Sequence, residues 1–424
     1  MRGGAGPTTI GADRGPQQGR LAHAASYRCN DAQGRGCASV QPRLLACARS
    51  VRDGRRLTTT RFPRSIARAL LAALLATSLA GCHLLEDGPD PAQVRSTLLR
   101  KLPATLQDRE GWASDIQTAF SSQGLAPSAS NLCAVLAVIE QESTYRADPV
   151  VPDLGNISIG EIKRRAAARR VPEFAVDAAL RMRSPDGRSY EERLRGMRTE
   201  RELSELFEQM TARLPMGSGR LLAGLNPVRT AGPMQVSIDF AQRHARGYPY
   251  TTEGSIRHEA FSRRGGLYFG IKHLLGYPAD YASPVYRFAD FNAGWYASRN
   301  AAFQQAAAIA SGTRLVRDGD LLAPGAPMDR PGATEAALRS IDVRLNMDAA
   351  AIRADLEQER SPTFSRTALY RSVFAIADAA GSGQPVPRAR IPDIALESPK
   401  ITRELTTAWF AGRVEARWKA CLQR

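Results

Sequence analysis

The sequence is poor in the residues that hold metals. Its 424 residues include six cysteines and five histidines, and none of them stands at the spacing of a zinc site. Cys29, Cys37 and Cys47 lie in an Arg-rich leader, Cys82 follows an apolar run, and only Cys133 and Cys421 fall in the body of the chain. His244, His258 and His273 are too far apart for a helical ligand pair, so no metal site is expected. No glycine-rich loop is suited to cradling a phosphate, and no cofactor is expected. Period-2 alternation and repeats of fixed length are also missing, which excludes sandwich, barrel and solenoid designs. What remains is apolar residues at helical spacing in a chain long enough for two or three domains, and this predicts an all-α class.

The formal net charge of +16 invites a nucleic-acid reading, but the charge is uneven. Residues 1–81 carry 13 Arg, no Lys and 3 acids, a net of +10, which leaves 45 basic and 39 acidic residues, or +6, for the rest. The basic excess belongs mainly to the leader, and the body lacks the basic and aromatic interleaving of a nucleic-acid surface. No nucleic acid is expected as a partner.

Arg61, Arg64 and Arg68 precede ALLAALLATSLA, residues 69–80, a run too short to cross a bilayer but suited to a signal-peptide core. Leu79-Ala80-Gly81-Cys82 follows and looks like the lipobox of bacterial lipoproteins. Cys82 is then the lipidation site and the first mature residue, with residues 61–81 as the signal peptide. Residues 1–60 read as a misassigned or disordered leader. No Met occurs between Met1 and Met182, so the true start uses an alternative codon, at Val51 or Leu57. His83 rather than Asp after the cysteine is similar to outer-membrane lipoproteins, which places the chain in the cell envelope, anchored on the periplasmic face of that membrane. In such an oxidising compartment Cys133 and Cys421 either pair or stay separate thiols; the sequence leaves both open.

Residues 82–125 read as an N-terminal helical segment interrupted near Pro103. Ser128 or Ser130 starts the next helix, in which Leu132, Val135, Leu136 and Ile139 recur at helical spacing ahead of Asp148-Pro149 and Val151-Pro152, which stop it. Glu140 and Glu142 lie at opposite edges of its apolar stripe, and periodicity does not choose between them. A helical insertion follows at 156–230, then a loop holding Gly232-Pro233-Met234-Gln235 and a helix started by Ser237 and Asp239. The stretch from Val285 to Ala310 is helical, and residues 311–424 form a helical C-terminal region.

Ala137-Val138-Ile139-Glu140-Gln141-Glu142-Ser143 resembles the "QES" helix of soluble lytic transglycosylases, enzymes of lysozyme-like fold. In the family's order, Gly232-Pro233-Met234-Gln235 looks like the GLMQ loop, Gly270-Ile271-Lys272-His273-Leu274 is similar to the GxxYL helix, and Asn292-Ala293-Gly294 looks like the end of AYNAG. The resemblance covers residues 126–310 and marks a divergent branch. It implies a lysozyme-like core with a long helical insertion and a helical C-terminal appendage. It also implies cleavage of the bond between N-acetylmuramic acid and N-acetylglucosamine in peptidoglycan glycan strands, with a 1,6-anhydro product. Glu142 is the implied acid and base. Ser143 lies by the substrate's acetamido region, Met234 and Gln235 line the glycan cleft, and Asn292 shapes its wall.

Three departures stand out. Phe291 occupies the place of the family's Tyr, and Tyr296, one turn on, is the candidate to replace its hydroxyl. Pro233 replaces Leu, and about ninety residues separate Glu142 from Gly232, where the family has a shorter connection. Two other readings follow. One is a non-catalytic lysozyme-like lipoprotein that binds cell wall or a partner protein; the other is a muramidase that uses water, with Asp148 or Asp153 as its second carboxylate.

Overall fold

The computed structural model describes residues 90–212, 226–252, 254–380, 383–396 and 404–424. The leader, the signal peptide, Cys82 and residues 213–225 of the insertion lie outside them. The fold is predominantly helical, as the patterning predicts. No helix among the described residues is long and apolar enough to cross a membrane.

Helix α1 (Pro91–Lys101) opens on a proline, whose missing N–H costs nothing in a first turn, and buries Val94 and Leu98. It ends at the predicted interruption near Pro103. Helix α2 (Arg109–Ser122) is capped by Asp108 and turns Trp112, Ile116, Ala119 and Phe120 inward. Helix α3 (Ala129–Glu142) starts on Ser128, whose hydroxyl accepts the Asn131 N–H. Every residue from Leu132 to Ile139 is buried, so α3 is apolar all round and runs through the middle of the core.

The insertion comprises α4 (Leu154–Ala168), α5 (Glu173–Arg181), α6 (Tyr190–Gly196) and α7 (Glu200–Ala212). Leu154, Val176, Leu180, Tyr190, Leu194, Leu203 and Leu206 join it to the same apolar core as α3. A capping box between Ser189 and Glu192 starts α6.

Two-residue strands β1 (Thr230–Ala231) and β2 (Val236–Ser237) then pair antiparallel. Alternation over two residues is too short to be legible in sequence. The turn between them, Gly232-Pro233-Met234-Gln235, lies flat on α10 (Arg263–Leu275), which follows α8 (Ile238–Arg243) and α9 (Ile256–Phe261). Gly232 has φ +72°, and a Cβ there would come within 2.4 Å of the Ala260 carbonyl oxygen and 2.8 Å of the Gly266 Cα. Backbone meets backbone at this contact, so neither glycine tolerates a side chain. Gly266→Ala is expected to lower stability by about 1–3 kcal/mol through overpacking against Pro233. A urea midpoint equal to that of the parent chain would refute this.

The stretch from Val285 to Ala310 is helical as expected, and it divides into two helices, α11 (Val285–Ala293) and α12 (Ala297–Ser311). Asp290 makes the break. Its buried carboxylate accepts the N–H groups of Tyr296 (3.1 Å) and Ser298 (2.6 Å), and so caps α12 from within α11.

The rest of the chain divides between two cores. Helices α13 (Ala333–Arg339), α14 (Asp342–Leu345), α15 (Ala349–Leu356) and α16 (Ala368–Ala380), with a 3₁₀ turn at Pro362–Arg366, pack on α12 around Phe303, Leu338, Ile352, Phe364 and Phe374. Glu335, fully buried, holds Arg339 and Arg353 there. The last helix, α17 (Thr407–Gln423), follows a short hairpin, β3 (Ala395–Leu396) with β4 (Leu405–Thr406). It returns to the first core, where Phe410, Ala411 and Val414 are buried. Residues 311–424 are therefore not one appendage, because an amphipathic stripe shows that a helix packs but not on what. Cys133 and Cys421, across a sequence separation of 288, form a disulfide with a Cα–Cα distance of 5.5 Å. It fastens α17 to α3.

Candidate functional site

The end of α3 carries the site. After Glu142 the helix stops six residues before the predicted Asp148-Pro149 break. The Ser143 hydroxyl donates to the Ile139 carbonyl (3.1 Å) and accepts the Arg146 N–H (3.2 Å), giving the backbone a local alternative to another helical turn. Thr144 and Tyr145 then take φ of +52° and +58°, a region that non-glycine residues occupy only when their surroundings enforce it. Tyr145 is held by its hydroxyl donating to the Leu136 carbonyl (3.2 Å) and by its ring packing edge-on against Trp112.

Glu142 is half-buried at this terminus. Among the described residues its carboxyl has no hydrogen-bond or ion-pair partner. Burial alone pushes its pKa up to about 8. Glu140, which periodicity left as an equal candidate, instead faces Arg417 of α17 at 3.5 Å. The contrast separates the two acids: one has a cation beside it, the other is desolvated and free to carry a proton at neutral pH. Asp148 is paired with Arg201 at 3.3 Å, and Asp153 is exposed, with an oxygen accepting from the Asn156 amide.

The other predicted residues sit on two further elements of the same core. Met234 is fully buried, and its thioether packs where a Gly270 side chain would otherwise stand; it shapes the core and does not line an open surface. Gln235, at φ +48°, is half-buried and locked into the turn, its carbonyl accepting from Thr230 and its amide donating to the Gly232 carbonyl. Phe291 is 8% exposed and stacks on Phe410. Asn292 is half-buried, and its carbonyl oxygen accepts the Thr407 hydroxyl at 2.8 Å. That contact sets which way the Asn292 side chain is flipped, with its carbonyl oxygen toward Thr407.

Tyr296 does not supply the hydroxyl absent at Phe291. Its own hydroxyl donates to the Pro278 carbonyl at 2.8 Å, and its ring lies beneath the Arg299 guanidinium, 4.1 Å away. Its left-handed backbone at the α11–α12 break aims it into the core. Ser143 is likewise buried with its hydroxyl engaged. Among the described residues, none of these side chains hydrogen-bonds to Glu142.

His273 stands in an aromatic cluster with Phe240, Phe291 and Trp295. Its Nε2–H donates to the Phe291 carbonyl at 3.1 Å, so the neutral ring keeps its lone pair on Nδ1, which is buried without a partner. Burial pushes its pKa down to about 4. His244 stacks on Phe240 in the same cluster, yet no group of ligands among the described residues fits a metal ion.

Three residues that shape the site are not among those the sequence points to. Asp290 accepts the hydroxyls of Tyr277 (2.9 Å) and Tyr281 (2.6 Å) besides the two backbone N–H groups, and so organises the loop that carries Asn292. An acid on an apolar helix face directly before the Phe-Asn-Ala-Gly motif was the available signal. Thr407 and Arg417 arrive from α17, more than a hundred residues away, and nothing local marks them.

Two cavities among the described residues are lined by residues other than Glu142. One of about 260 Å³ is lined by Val150 to Gly155 and Arg195 to Arg198; the other, about 190 Å³, lies between Asn131, Leu274, Tyr281 and Arg287.

The chain is 51% identical over 361 residues to "Uncharacterized protein YaiW" of Escherichia coli (strain K12), a match spanning 84% of this chain and 97% of that one. No solved structure matches it. Residues 105–424 match the family described as "Protein of unknown function (DUF1615)", and the chain belongs to that family.

Proposed function

We propose that this protein is a lipid-anchored, lysozyme-like lytic transglycosylase that cleaves peptidoglycan glycan strands with Glu142 as its single acid and base. One observation carries the reading: a carboxyl at the end of a buried helix, without a partner among the described residues, with its pKa raised to about 8. A general acid needs this state, protonated at neutral pH and not neutralised by a cation. In the proposed step Glu142 gives its proton to the oxygen between N-acetylmuramic acid and N-acetylglucosamine, and the glycosidic bond breaks with its electron pair on that oxygen. The carboxylate then takes the proton of the muramic 6-hydroxyl as that oxygen bonds to the anomeric carbon. A 1,6-anhydro ring results, no water is consumed, and Glu142 is protonated again.

The disulfide supports export to an oxidising compartment, and with it lipidation at Cys82 and a place on the periplasmic face of the outer membrane. The pairing of Asp148 with Arg201 disfavours that acid as the second carboxylate of a water-using muramidase. A second reading, a non-catalytic binder of cell wall or a partner protein, is favoured by the engaged hydroxyls of Ser143 and Tyr296 and by cavities lined by residues other than Glu142.

Purified protein incubated with sacculi separates the readings. Transglycosylation releases muropeptides lighter by one water than hydrolysis does, and a binder releases neither while still cosedimenting with the sacculi.

A further inference from the structure

The insertion presents a surface that the transglycosylase reading does not use. Val171, Phe174 and Met182 are 42%, 75% and 62% exposed, and Phe174 is the most exposed aromatic of the insertion. Phe174 and Ala178 are four residues apart on α5, on the side facing away from buried Val176 and Leu180. Val171 and Met182 flank the two ends of that helix. Arg169, Arg170 and Arg181 border the same stripe, all exposed and none paired with a carboxylate among the described residues.

The acids of α5 do not oppose this charge. Glu173 and Asp177 each lie 2.8 Å from the Lys163 ammonium of α4 and are held against that helix. The exposed face is therefore apolar at its centre and cationic at its edges.

We propose that α5 and its flanks dock on an anionic lipid surface, with Phe174 and Met182 entering the head-group boundary and Arg170 and Arg181 meeting lipid phosphates. A stripe of three large side chains on and beside one short helix offers far less than the roughly 1,000 Å² that a specific protein interface buries. Shallow lipid insertion needs no such area, because apolar side chains and basic residues each add to binding on their own. This inference is independent of whether Glu142 cuts glycan.

The test uses the mature chain from residue 82 carrying Cys82→Ser, which has neither the signal peptide nor an acyl anchor, and cosedimentation with vesicles of phosphatidylglycerol and phosphatidylcholine or of phosphatidylcholine alone. Binding is expected on the anionic vesicles. It should weaken at least about tenfold in Phe174→Ser/Met182→Ser, in Arg170→Ala/Arg181→Ala, and for the parent at about 0.5 M salt. Phe174→Trp should keep binding and shift its emission to the blue on anionic vesicles. No binding to anionic vesicles, equal binding by either double variant, or equal binding to uncharged vesicles overturns the proposal. So does sedimentation showing that the stripe joins two copies, with Phe174→Ser/Met182→Ser monomeric where the parent is dimeric.

Discussion

Glu142→Gln should lower the release of anhydro-muropeptides from sacculi by about a thousandfold or more, within the range general acid catalysis supplies, while leaving the helical signal intact. The amide matches the carboxyl in shape, so packing at the end of α3 is preserved. What is lost is the proton. With the carboxyl's pKa at about 8, activity in the parent should hold through neutral pH and fall about tenfold per unit above pH 8. An activity limb near pH 4.5 instead would show that the acid is not this one. Release by the variant at the parent's rate would end the enzymatic reading.

The same substitution has a stability signature. The folded state binds the Glu142 proton more tightly than the unfolded chain, whose carboxyl titrates near 4.5. Stability should therefore decline as pH rises from about 4.5 to 8, where the folded carboxyl ionises. Gln has no charge to bury, so the variant should be the more stable protein at pH 9, by about 1–3 kcal/mol given the solvent contact that Glu142 retains. Denaturant midpoints of both chains at pH 5 and pH 9 check this. A parent that gains stability over that interval relative to the variant would contradict it.

Breaking the Cys133–Cys421 disulfide should cost about 2–5 kcal/mol, because the bridge closes a loop of nearly the whole described fold and removes chain entropy from the unfolded state. Scanning calorimetry with and without reductant should show a loss of roughly 5–15 °C. Cys133→Ser/Cys421→Ser should melt with the reduced protein and be insensitive to reductant. The effect reaches the candidate site, since α17 brings Thr407 to Asn292, Phe410 to Phe291 and Arg417 to Glu140. Identical melting of oxidised and reduced protein would mean that packing alone holds α17 in place.

Much of this was readable in the amino-acid order. Helical spacing, the Ser128 and Ser237 caps and the interruption near Pro103 determined an all-α chain and placed both Glu140 and Glu142 at the end of a buried helix. Those signals act between residues a few positions apart, where backbone geometry is fixed by local chemistry. Which acid stands free, which hydroxyls are engaged, and where the last helix packs were decided only by the tertiary structure. Arg417, Thr407 and Cys421 reach α3 and α11 from the far end of the chain, and no local pattern encodes a partner that chain folding alone brings near.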